Sequence, residues 1–192
     1  MGMPRQKPHR SKQDYGTPPE LVAAVERRFG ALTWDLAATA DNTLVADRFF
    51  AVGGLDGEAL TADWAFKRSD LLWLNPPFGG IGPTWAPLVA RWTRQNPWLR
   101  VLMLTPASIG SEWFQRHVHR KAMVLALSPR LHFVGADDPY PKDCMLSCFG
   151  FGVAGFDVWR WDEDAPAAPA PSVKRARQTA KRLPASVQTV PI

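Results

Sequence analysis

The sequence is poor in the residues that hold small secreted folds or metal centres together. It has only two cysteines in 192 residues, Cys144 and Cys148, which excludes a disulfide framework. Both lie in an apolar stretch around Met145 and Leu146 and read as small buried hydrophobes, not as a metal or redox pair. The four histidines are scattered, with none at zinc-ligand spacing from a cysteine or glutamate, so no metal is expected. No apolar run approaches the roughly 18 residues of a membrane span, so no membrane partner is expected either. No apolar segment follows the basic start of the chain. A secretory leader is therefore not expected, and the cytoplasm is the expected location. There are no internal repeats, and nothing in the pattern fixes an oligomeric state.

What is present suits one globular domain with tails. Hydrophobic residues make up 46% of the chain and charged residues 21%. The net charge of +5 is carried by the ends. Arg5, Lys7, Arg10 and Lys12 make residues 1–13 a basic tail, expected to be disordered. Residues 162–192 form a second tail rich in alanine and proline, with Lys174, Arg175, Arg177, Lys181 and Arg182. The body, residues 14–161, is near neutral. Basic ends of this kind either hold a polyanion or only confer solubility, and charge alone does not decide between them.

Along the body, apolar strands alternate with helical patterns, which predicts an α/β doubly wound sheet, mostly parallel. Thr17-Pro18-Pro19-Glu20 reads as a helix start, with Thr17 as cap and Glu20 completing a capping box. Residues 32–38 read as a strand, 39–67 as a loop-rich crossover with one short helix, and 70–74 as a buried strand. A helix over 84–95 carries Trp85, Leu88, Val89 and Trp92 as a core stripe. Strands follow at 99–104 and 122–127, with a short helix at 111–118 between them. Closely spaced strands at 131–134, 145–153 and 156–161 predict an antiparallel hairpin at one edge.

The chemistry centres on Leu71-Leu72-Trp73-Leu74-Asn75-Pro76-Pro77-Phe78. Two prolines cannot continue a central strand, and Pro76 holds Asn75 extended. Asn75 thus stands in stiff backbone at a strand's carboxyl end, where open α/β sheets bind ligands. Its side-chain oxygen and the Pro76 carbonyl form a rigid pair of acceptors. Such a pair fits the amino group of an aromatic base, and Phe78 offers a ring on which the base can stack.

This turn resembles the Asp/Asn-Pro-Pro-Tyr/Phe motif of S-adenosylmethionine-dependent amino-methyltransferases. Thr17-Pro18-Pro19-Glu20, Trp34-Asp35-Leu36-Ala37, Asp63-Trp64, Leu104-Thr105-Pro106, Trp113-Phe114 and Ser128-Pro129-Arg130-Leu131-His132-Phe133 extend the likeness. Over residues 14–160 the chain is similar to the phage-type, Dam-like DNA N6-adenine methyltransferases, which are often found in phages and prophages. The resemblance implies a Rossmann-like methyltransferase domain with S-adenosylmethionine as cofactor. It also implies double-stranded DNA as partner, with the target adenine flipped out. It makes Asn75, Pro76, Pro77 and Phe78 the catalytic turn. Thr17 and Pro18 would line the methionine end of the cofactor. Asp35 and Ala37 would sit where the first cofactor-binding strand ends, and Asp63 would meet the cofactor's adenine. Each of these also has a plain structural use: a cap for Thr17, a turn for Asp35, a solvated charge for Asp63.

Arg130, His132 and the loop 137–143 with Lys142 are candidates for DNA contact, or an ordinary surface loop. The sequence departs from many methyltransferases in lacking glycines after the first strand, where Asp35-Leu36-Ala37-Ala38 stands instead. With no evident recognition domain, a short or relaxed target sequence is expected. The remaining alternatives are methylation of cytosine N4, RNA adenine or a protein glutamine, and a silent nucleic-acid-binding protein of the same fold.

Overall fold

The computed structural model describes residues 16–38, 43–45, 48–50 and 66–164. The expected tails, apart from 162–164, and the expected helix of the crossover lie outside them, as does Asp63. Helix α1 spans Pro19–Phe29 and buries Leu21, Ala24 and Val25. It begins one residue later than the sequence reading and without a side-chain cap. The reason is steric: Pro19 forces Pro18 into an extended conformation (ψ 130°). Strand β1 follows at Trp34–Asp35, only two residues of the expected seven.

Strand β2, Leu71–Leu74, is buried at every position and runs parallel to β1. A 3₁₀ turn at Phe78–Gly80 and a π turn at Ile81–Trp85 lead into α2, Ala86–Gln95. Strand β3, Arg100–Pro106, pairs in parallel with β2. Then come α3 (Glu112–His117), β4 (Met123–Ser128), β5 (Cys144–Phe149), β6 (Gly155–Arg160) and the short α4 (Trp161–Asp164).

The six strands lie in the order β1-β2-β3-β5-β4-β6. All point the same way except β5, which is antiparallel to both β3 and β4. The sheet is thus mixed and mostly parallel, but the antiparallel strand is interior and the described residues form no edge hairpin. The cause is composition. All six residues of β5 are buried, so it needs neighbours on both sides, whereas β6 exposes Phe156, Asp157 and Val158 and takes the edge. Leu131–Val134 does not form the expected strand. It makes only an isolated antiparallel bridge, Val134 to Gly16.

Both faces of the sheet are covered, which explains why its strands read as unbroken apolar runs. Leu72, Leu74, Val101 and Met103 face α2 and α3, with Val89 and Phe114 among the helix residues they meet. Leu71, Trp73, Leu102 and Leu104 face the other way, towards α1 and Phe133. Trp85 is buried and Trp92 packs at the margin of the same core, as their helical spacing predicted. Each fully buried leucine contributes roughly 2 kcal/mol relative to exposure.

One detail of winding fixes the site. After β1 the chain returns along its outer side, where Phe49 makes a parallel bridge to Asp35. The chain then resumes on the opposite side of β1 as β2. The winding therefore reverses at β1, and such a reversal opens a crevice beyond the carboxyl ends of the two strands it separates.

Candidate active site

The carboxyl end of β1 is shaped by Asp35. Its Oδ1 accepts the backbone N–H of Ala37 (3.3 Å) and its Oδ2 that of Leu44 (3.1 Å). Asp35 is 4% exposed. Burial pushes its pKa up, and the two backbone donors only partly offset that rise. The carboxylate thus holds the turn after the strand, the structural use named above. Leu36 N–H bonds to the Trp73 carbonyl, which ties this turn to β2.

The carboxyl end of β2 is Asn75. Pro76 behind it is buried and Pro77 exposed, and neither offers an N–H, so the chain leaves the sheet at once. Gly80 N–H closes the next turn on the Pro77 carbonyl at 2.9 Å. Asn75 Nδ2 donates to Thr17 Oγ1 at 3.3 Å. The Thr17 hydroxyl, expected to cap α1, instead meets the Asn75 amide across 58 residues of sequence. Thr17 is nearly buried, and its neighbour Gly16 is held by Val134 N–H at 2.9 Å. A side chain at Gly16 would press on Val134 Cβ at 3.2 Å, so the close approach favours glycine.

Phe78 is half-buried and meets two rings edge-on, Phe133 at 6.0 Å and Tyr140 at 5.5 Å. Phe133 and Tyr140 also meet each other, at 5.5 Å and 89°. Neither is part of the catalytic turn expected from sequence, although Tyr140 lies in the 137–143 loop, a candidate for DNA contact. Tyr140 did leave a signal, being one of two tyrosines and standing between Pro139 and Pro141.

The structure therefore brings Thr17, Pro18, Asn75, Pro76, Pro77 and Phe78 together, with Asp35 and Ala37 at the end of the adjoining strand. Arg130 and His132 follow the carboxyl end of β4 on the same edge. Arg130 Nε bonds Asp143 Oδ1 at 2.8 Å, and His132 Nε2 lies 2.9 Å from the Ala136 carbonyl. Lys142 has no ion-pair partner among the described residues. It lines a cleft of about 290 Å³ with Arg130, Asp143, Pro106 and Ser108. The two thiols lie apart from this chemistry: burial pushes both Cys144 and Cys148 up to about 12.

Residues 5–148, well over half of the chain, match the DNA N-6-adenine-methyltransferase (Dam) family, and the chain belongs to it. The activity of that family is methylation of adenine N6, and its substrate is DNA. No curated protein and no solved structure matches the chain. No helix among the described residues is long and apolar enough to cross a membrane.

Proposed function

We propose that this chain transfers a methyl group from S-adenosylmethionine to the N6 amine of an adenine flipped out of duplex DNA. The observation that carries the reading is the tether between Asn75 and Thr17 at the winding reversal. With Nδ2 committed to the Thr17 hydroxyl, the amide is held in one orientation. Oδ1, its acceptor end, and the Pro76 carbonyl would then supply the pair of acceptors.

Those two oxygens accept the two hydrogens of the adenine amine. This draws the nitrogen towards tetrahedral geometry and localises its lone pair. The amine reacts neutral and sheds its extra proton to water afterwards, so no side chain of shifted basicity is required. Phe78 stacks on the base, and Phe133 and Tyr140 hold its ring plane. An adenine inside the duplex cannot enter a turn at a sheet edge, so it must leave the stack.

The residues at the end of β1 fit the proposed donor. Asp35 closes the turn there, and the small side chains of Ala37 and Ala38 allow a nucleoside close to the backbone where other enzymes use glycine. Thr17 and Pro18 would hold its methionine end, and Asp63 its adenine. When bound, the donor supplies a methyl carbon made electrophilic by a positively charged sulfur.

The test is incubation of the full chain with tritiated S-adenosylmethionine and duplex DNA, followed by digestion to nucleosides. Label is expected in N6-methyldeoxyadenosine; label in N4-methyldeoxycytidine would overturn the base assignment. Asn75→Ala should cut transfer about 1000-fold. Its cofactor affinity, read by calorimetry, should stay within about threefold. Unimpaired transfer by that variant would remove Asn75 from the mechanism.

A further inference from the structure

The edge of the sheet opposite Asn75 carries a different feature. There α2 and α3 end, β4 begins, and the 150–154 turn joins β5 to β6. These elements line a groove of about 610 Å³. Six of its lining residues are Arg91, Arg94, Arg116, His117, Arg120 and Lys121, and among the described residues none that lines it is acidic. In a body that is near neutral overall, this is a segregated positive field.

Helix-end chemistry explains part of the set. Arg94, Arg116 and His117 lie in the last turns of α2 and α3, where cations complement the helix dipole. Arg116 pairs with Glu112 at 2.6 Å, and Lys121 Nζ caps the Arg116 carbonyl at 2.6 Å. Arg91 stands a turn before the end of α2, and Arg120 lies beyond α3. Arg91, Arg94 and Arg120 have no ion-pair partner among the described residues. Arg120 also adopts a left-handed backbone (φ 60°), which costs a non-glycine residue about 1 kcal/mol. The field is felt inside the groove: His117 is held below its ordinary pKa by burial, then by Lys121 and Arg116.

We infer that this groove binds the sugar–phosphate backbone of nucleic acid without regard to sequence, as a site separate from the methyl-transfer turn. Guanidinium forks match phosphate oxygens two at a time. A run of phosphates can engage several of these arginines together, which a single small anion cannot. β3 alone separates the two edges by about 20 Å. The stretch of backbone in the groove is therefore not the one that presents the flipped base. A second hold of this kind would keep the protein on DNA between transfers.

The experiment measures binding of the full chain to a fluorescent 30-base-pair duplex by anisotropy, over about 50–300 mM salt. Replacing Arg91, Arg94 and Arg120 together by glutamine should make the slope of log K against log salt shallower by about 2.7, or about 0.9 for each phosphate no longer neutralised. The triple lysine variant should keep the wild-type slope, and circular dichroism should report all variants folded. Asn75→Ala should also keep the slope. Methyl transfer at saturating DNA should be unchanged in the glutamine variant. An identical slope in wild type and glutamine variant would overturn the inference, even with methyl transfer intact. A changed slope in a protein that transfers no methyl would leave the groove standing and sink the catalytic reading.

Discussion

Thr17 shows how a residue's neighbours in sequence can misdirect a reading that its neighbours in space correct. Its hydroxyl has the spacing of a helix cap, but two prolines delay the helix and release it to Asn75. Thr17→Val should therefore lower kcat about tenfold with little change in the KM for DNA, because one hydrogen bond of about 1.4 kcal/mol orients the amide. Thr17→Ser should restore the rate, and steady-state kinetics on duplex DNA separates the two. Asp35 illustrates a cost accepted for shape. Its raised pKa means that ionisation opposes folding. The stabilising contribution of its protonated form is full below the ordinary value of 3.8 and is lost as pH rises. The carboxylate nevertheless satisfies two backbone donors that would otherwise be stranded after β1.

At the level of elements, β5 departs most from expectation. Its residues are close in sequence to β6, which suggested a hairpin, yet β5 and β6 do not pair. The turn after β5 must instead carry the chain across the end of β4 to reach β6. Gly150 makes this possible with φ 79°; a Cβ there would lie 1.9 Å from the Leu99 carbonyl oxygen. Backbone cannot yield as a side chain can, so Gly150→Ala should destabilise the protein by about 3 kcal/mol or more, read by urea unfolding. The same clash would distort one wall of the basic groove. The π turn between Asn75 and α2 went unseen for a related reason. Ile81–Trp85 overlaps the expected helix over 84–95 only at Thr84 and Trp85, and periodicity does not report the register of the hydrogen bonds.

For the molecule as a whole, the reversal at β1 matters more than any single contact. It sets the ends of β1 and β2 side by side on one edge and leaves the basic groove on the other. The core between them is closed to solvent. Both cysteines are buried, Cys144 within that core and Cys148 at the floor of the basic groove, with thiols held near 12. Neither should react with a disulfide reagent at pH 8 in the folded protein, and both should react in guanidinium. Reaction of Cys144 in the native protein at the rate of a free cysteine would show that β5 is not interior.

The sequence by itself determined the chemistry of one turn. Asn75-Pro76-Pro77-Phe78 needs only local stereochemistry to place two acceptors and a ring at a strand's end. The apolar runs at 71–74, 99–104 and 122–127 likewise announce strands of a sheet. Strand order lay beyond such local rules, since pairing joins residues far apart in the chain. So did the partners of Asn75 and Phe78. Thr17, Phe133 and Tyr140 come from segments that have no common pattern, and they meet only because α1 and the 131–140 segment pack on the same face of the sheet. The groove at the opposite edge was illegible for the same reason. Its cations are spread from Arg91 to Lys121, and their field exists only where α2 and α3 end together.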